Sequence, residues 1–220
     1  MTDFFSRPIV LITSIVFFAQ AVARFVLSLF NLSVWSALFE NRFYEVNLFE
    51  LFMGLSLLLL YVMSVKGNSL AASVKFFRVG SIVELVLTAL FVCCCVMAFF
   101  VFFFFGALFS GVFFLRFFPM VIVAGLVVIF ALIAVILLIT MLSAQTAFSV
   151  SLVRSVRDGK KRKGTAVFYG VMNLVSAVCL LLFALIISLF DTNMIAFLLS
   201  GPLLSLPSLA LMSVLLLSYK

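Results

Sequence analysis

The chain is expected to fold as an all-α polytopic transmembrane helical bundle with six spans, and two observations predict it. Apolar residues come in runs of roughly 20, the length a helix needs to cross a hydrocarbon core of about 30 Å. The few charges, 10% of 220 residues, gather mostly in the breaks between those runs. With 67% hydrophobic residues and a mean hydropathy of +1.46, a water-soluble fold would be covered in exposed apolar surface. Lipid is therefore the expected solvent. Backbone groups in lipid must find partners within their own segment, which makes helices the expected form. The whole chain, 1–220, reads as a single integral membrane domain.

Taken in order, the first span covers residues 8–30 and opens on Pro8, which the first turn of a helix tolerates. Residues 32–43 carry Trp35, Leu38 and Phe39 on one face and read as a helix lying in the outer interface. The second span covers 48–65, the third 79–105 and the fourth 117–142. Ser143, Gln145, Thr146, Ser149 and Ser151 dilute the next stretch, so residues 143–153 read as an extension of the fourth helix beyond the hydrocarbon. A basic loop, 154–163, leads to the fifth span at 166–190, and a sixth follows at 195–217. Gly201-Pro202 and Pro207 predict that the last span is kinked or broken. One alternative shortens the protein to five spans: Ala19-Gln20-Ala21 and Ala21-Val22-Ala23 resemble signal-peptidase sites after an apolar core. The weakly basic start and the apolar pattern beyond those sites favour retention.

Lys and Arg concentrate in cytoplasmic segments of membrane proteins, which orients the bundle. With both termini inside, Arg7, Lys66, Lys75, Arg78, Lys220 and the loop residues Arg154, Arg157, Lys160, Lys161, Arg162 and Lys163 all fall in the cytoplasm. Only Arg42 and Arg116 fall outside, together with Glu40, Glu45, Asp191 and the border residue Glu50. Trp35 and Tyr44 are then expected near the outer interface, and Tyr61, Tyr169 and Tyr219 near the inner one. A net charge of +7 beside membrane spans points to the bilayer, and to its anionic headgroups, rather than to nucleic acid. Arg154, Arg157 and Lys160 to Lys163 are the candidate anionic-lipid contacts; the plainer expectation is a topology-determining, solvated turn.

Polar seams run along several spans. Thr13, Gln20, Arg24 and Asn31 share a face of the first helix; Ser81, Glu84, Thr88 and Cys95 of the third; Asn173, Ser176, Ala184 and Ser188 of the fifth. The second contributes Glu50, Gly54 and Tyr61. Such faces should meet one another, since small side chains let helices approach and polar ones bond across the contact. A charge at mid-membrane costs roughly 2.5–3.5 kcal/mol on insertion scales, so each calls for a partner. Arg24 and Glu84 lie at different depths, which makes Glu50 the expected partner of Arg24 and leaves Asn173 or Ser176 to face Glu84. Arg24, Glu50, Glu84, Asn173 and Ser176 form the candidate intramembrane polar site, with helix-packing contacts as its plain interpretation.

Ser64-Val65-Lys66-Gly67 before Phe76-Phe77 resembles Ser155-Val156-Arg157-Asp158-Gly159 before Phe168-Tyr169. The match sets Ser81 and Glu84 opposite Asn173 and Ser176; matches this short also arise by chance in biased sequences, and a duplication here would be a parallel rather than an inverted repeat.

No histidine is present, which excludes His general bases and His-containing metal sites. Gly159 and Gly164 bracket a basic run without a Walker spacing, and the carboxylates are scattered in depth. Cys93, Cys94 and Cys95 splay by about 100° each around a helix and read as small apolar residues rather than as a copper(I) site with Met97 and Cys179. No catalytic, cofactor-binding or metal-binding residues are assigned, and no cofactor is expected. The function expected is that of a non-enzymatic accessory or interaction protein of a prokaryotic plasma membrane, with a membrane protein or a second copy as partner. The alternative is a small-solute or ion carrier or channel subunit, its site along the Arg24, Glu50 and Glu84 seams.

Overall fold

A computed structural model describes residues 2–29, 48–109, 118–160, 162–190 and 203–219. All regular structure among them is helical: α1 (Thr2–Phe5), α2 (Pro8–Leu29), α3 (Leu48–Val65), α4 (Ala71–Phe109), α5 (Phe118–Asp158), α6 (Lys163–Phe190), a 3₁₀ turn (Leu203–Ser205) and α7 (Leu206–Leu217). Among the described residues, five stretches are long and apolar enough to cross a membrane: Pro8–Leu29, Leu48–Val65, Ala71–Met97, Val135–Asp158 and Lys163–Leu182. The sixth apolar helix, Leu203–Leu217, is shorter. The remainder of the expected sixth span, 195–202, and the expected interfacial helix, 32–43, lie outside the described residues.

Two helices run past the hydropathy bounds expected for their spans. Hydropathy starts the third at 79, yet α4 begins eight residues earlier, at Ala71, because backbone hydrogen bonding continues through Lys75 and Arg78. α5 runs on to Asp158, past the expected extension of the fourth helix through 143–153, and its Ser- and Gln-rich stretch is buried against neighbouring helices. Gln145 and Ser149 are both 0% exposed. These polar residues are accommodated because Thr146 bonds back to the Leu142 carbonyl at 2.9 Å, Ser149 to that of Thr146 at 2.7 Å, and Gln145 reaches other helices. The basic loop is also shorter than expected: Arg154 and Arg157 belong to the last turns of α5, and Lys163 begins α6.

Helices α2 to α7 pack in a closed ring, each against the next in sequence and α7 back against α2. The closest packings join α2 to α3, α4 to α5 and α6 to α7. At the end carrying most of the basic residues, hereafter the basic end, α1 tucks Phe4 and Phe5 inward, and the Phe4 ring meets Tyr219 edge-on at 4.7 Å. That contact closes the ring where the chain itself is open. Tyr219 also meets Phe148, which continues to Phe77 and Tyr169, so an aromatic cluster fills this end. Burial pushes the Tyr219 phenol above its ordinary pKa.

Gly67 and Gly159 both adopt φ of +68°, the left-handed conformation in which glycine is least strained. At Gly67 the Asn68 N–H bonds to the Met63 carbonyl at 3.0 Å and the Gly67 N–H to that of Ser64 at 3.2 Å, a Schellman ending to α3. With these glycines superposed in register, residues buried in one hairpin match residues buried in the next: Met53 with Gln145, Leu60 with Leu152, Val74 with Ala166, Phe77 with Tyr169 and Ser81 with Asn173. The two hairpins α3–α4 and α5–α6 thus share a burial register about Gly67 and Gly159. Outside the ring, α4 and α6 present continuous apolar faces, including Val83, Leu87, Leu90, Val178 and Leu182, compatible with an integral membrane protein.

Candidate functional site

Two polar networks sit inside the ring, at different depths. The first joins α2, α3 and the start of α7. Arg24 donates from Nε to both carboxylate oxygens of Glu50, at 3.0 and 3.1 Å, and from Nη2 to Ser205 Oγ at 2.6 Å. Arg24 is 12% exposed and Glu50 3%, so the pair is shielded from solvent. One turn along α2, Gln20 donates to the Leu204 carbonyl, while its own Oε1 is buried without a partner among the described residues. The Leu204 carbonyl and the Ser205 hydroxyl are presented by the 3₁₀ turn that precedes α7, and α7 carries Pro207 in its first turn. The break predicted in the last span thus supplies two of the contacts that hold Arg24 and Gln20. Closer to the basic end, Ser14 Oγ donates to the Gly54 carbonyl at 2.8 Å and ties α2 again to α3.

The second network centres on Gln145 of α5. Its Nε2 donates to Glu84 Oε2 at 3.0 Å and lies 3.3 Å from Ser81 Oγ, both on α4, and 3.6 Å from the Met53 sulfur on α3. Its Oε1 accepts from the Tyr169 hydroxyl on α6 at 3.2 Å. Four helices therefore converge on one amide. Asn173 is joined indirectly, donating to the Tyr169 carbonyl at 2.8 Å.

Of the five residues expected in a polar site, the structure brings Arg24 and Glu50 together as expected and keeps Glu84 apart from them. The partner of Glu84 is Gln145, not Asn173 or Ser176; Ser176 is half-buried and joins neither network. Gln145 was missed because its neighbours made the stretch read as diluted helix, although a lone amide four residues after Met141 and three before Phe148 on an apolar face was a usable signal. Tyr169, expected at the interface, is 1% exposed in the core. Of the other seam residues, Thr13 is fully buried and bonds back to the Ile9 carbonyl, whereas Cys95 is exposed, as are Cys93 and Cys94. Asn31 and the Ser188 side chain lie outside the described residues.

At the basic end Arg154, Arg157, Lys160, Arg162 and Lys163 are exposed, and Lys161 lies outside the described residues. Arg162 pairs with Asp158 at 3.5 Å, both about half-exposed, a contact worth little in solvent. Near it, a groove of about 460 Å³ runs between α4, α5 and the start of α6, with Arg154 and Arg162 in its wall. No family model, curated protein or solved structure matches this chain.

Proposed function

We propose that the protein is a non-enzymatic, multi-pass integral membrane protein that acts through contacts with lipid and with other membrane proteins or a second copy of itself. The observation that carries this reading is the way its intramembrane carboxylates are used. Glu50 is held by Arg24, and Glu84 by Gln145, in hydrogen bonds that run from helix to helix. Neither carboxylate borders the groove at the basic end. A carrier site needs its charged groups to be available to a solute, whereas these serve as cross-links between packed helices. The distribution of Lys and Arg supports an orientation with both termini cytoplasmic.

Proteoliposomes containing the full chain test this against the carrier alternative. Wild type, Glu84→Gln and Arg24→Gln are compared for uptake of ions and small metabolites and for thermal stability. The expected result is no saturable flux in any of them and a lowered melting temperature for Arg24→Gln. Saturable flux in the wild type, lost in Glu84→Gln while its stability is kept, overturns the proposal and installs the carrier.

A further inference from the structure

We infer that the groove between α4, α5 and the N-terminus of α6 is a binding site for one anionic glycerophospholipid of the leaflet at the basic end. The inference rests on the membrane-embedded part of the functional reading and is independent of whether the protein has a further activity.

The groove lies on the outside of the ring. Ser143, Ala147, Val150 and Arg154 follow one another at helical spacing along the outward face of α5, while Gln145, Phe148 and Leu152 between them point into the core. Leu85 of α4 forms one wall and the start of α6, through Thr165, closes the basic end. Small side chains at 143 and 147 leave the hollow that bulkier residues would fill. From Ser143 to Arg154 the groove runs about 16 Å along α5. That is close to half of a hydrocarbon core of about 30 Å, the depth of one acyl chain in one leaflet.

Charge follows the same axis. The groove wall is mostly apolar, with Ser143, Thr146 and Ser151 among its lining, until it reaches Arg154 and Arg162, which stand where a headgroup phosphate would lie. Arg154 makes no hydrogen bond or ion pair among the described residues, and Asp158 only partly offsets Arg162 across 3.5 Å of half-exposed contact. The first N–H groups of α6 have no helical acceptor, so the end of that helix favours an anion. A mostly apolar trough one leaflet deep that ends in two guanidinium groups matches an acyl chain bearing a phosphodiester.

The full chain, purified in a mild neutral detergent, is titrated with dioleoyl phosphatidylglycerol or dioleoyl phosphatidylcholine, and bound lipid is counted by native mass spectrometry. Phosphatidylglycerol should bind at low stoichiometry and outlast phosphatidylcholine, with water-soluble glycerol phosphate failing to displace it. Removing both charges, Arg154→Gln with Arg162→Gln, should weaken binding roughly ten- to thirtyfold. Ala147→Phe fills the trough without touching a charge and should weaken it about as much. Arg157→Gln with Lys160→Gln, equal in charge removed but outside the groove, should change it less than about threefold. The site is refuted if the two double variants behave alike, if Ala147→Phe binds as the wild type does, or if glycerol phosphate competes. All five positions except Arg162 and Lys160 are on helices, and each is exposed, so circular dichroism should confirm folding of every variant.

Discussion

Arg24 and Glu50 illustrate what a buried ion pair implies at the scale of single residues. Their mutual attraction is offset by the cost of removing both from water, so the pair as a whole adds little, but loss of one partner strands the other. Arg24→Met is therefore expected to destabilise by about 3–5 kcal/mol, and the double variant Arg24→Met with Glu50→Leu by less than either single change. Thermal unfolding of the four proteins in one detergent forms the cycle; additive losses would show that the two side chains are not coupled. Gln145 is a second test. Gln145→Leu leaves Glu84 and the Tyr169 hydroxyl without their partner and is expected to cost about 1–3 kcal/mol, whereas Tyr169→Phe, which removes a single neutral bond, costs about 1 kcal/mol. Equal losses would contradict Gln145 as the hub. The ion pair was legible in the sequence because depth along a helix follows from residue number, and only Glu50 shared the depth of Arg24. The Gln145 contacts were not, since they depend on how four helices rotate about their axes.

At the scale of elements, the C-terminal end of α3 was readable and the start of α4 and the end of α5 were not, for a physical reason. Val65 is followed by Lys66 and Gly67, so hydropathy and helical hydrogen bonding stop together there. In α4 and α5 they separate: a helix continues through Lys75, Arg78, Arg154 and Arg157, because charged side chains at the end of a bundle extend into water while the backbone ladder persists. What stops α3 and α5 at the basic end is Gly67 and Gly159 at φ of +68°. Nothing lies within 4 Å of a Cβ placed at either, so substitution there carries only the backbone term. Gly67→Ala is expected to destabilise by about 1–2 kcal/mol and Gly67→Asn by distinctly less, as asparagine tolerates this region. Denaturant unfolding distinguishes them, and equal losses would point to an unrecognised steric contact. Gly80 has the opposite character. A Cβ there would come within 2.0 Å of the Phe52 ring, so α3 and α4 approach through it. Gly80→Val should cost about 1–3 kcal/mol, part of it recovered by Phe52→Leu.

For the whole molecule, the ring order ties the number of crossings to the side on which each turn lies. Helices α2 to α7, antiparallel in turn, put residues 66–70, 159, 160 and 162 at one end with α1 and Tyr219, and Leu48 at the other. Six of the fourteen basic residues, Lys66, Arg157 and Lys160 to Lys163, lie in the sequence at or within two residues of those two turns, so the orientation proposed from charge and the path of the chain through the bundle make a joint prediction. In a background with the four native cysteines replaced, single cysteines are placed at Ser69, Lys160 and Leu48 and labelled with a membrane-impermeant maleimide in intact cells. Ser69→Cys and Lys160→Cys should react only after the cells are opened, and Leu48→Cys, 73% exposed at the far end, should react from outside. Reversal of all three would keep the fold and invert the orientation, placing the groove and its arginines in the outer leaflet. Ser69→Cys and Lys160→Cys on opposite sides would mean that α4 and α5 do not both cross, and the ring itself would then be wrong. The experiment thus separates an error in reading charge from an error in reading the path of the chain.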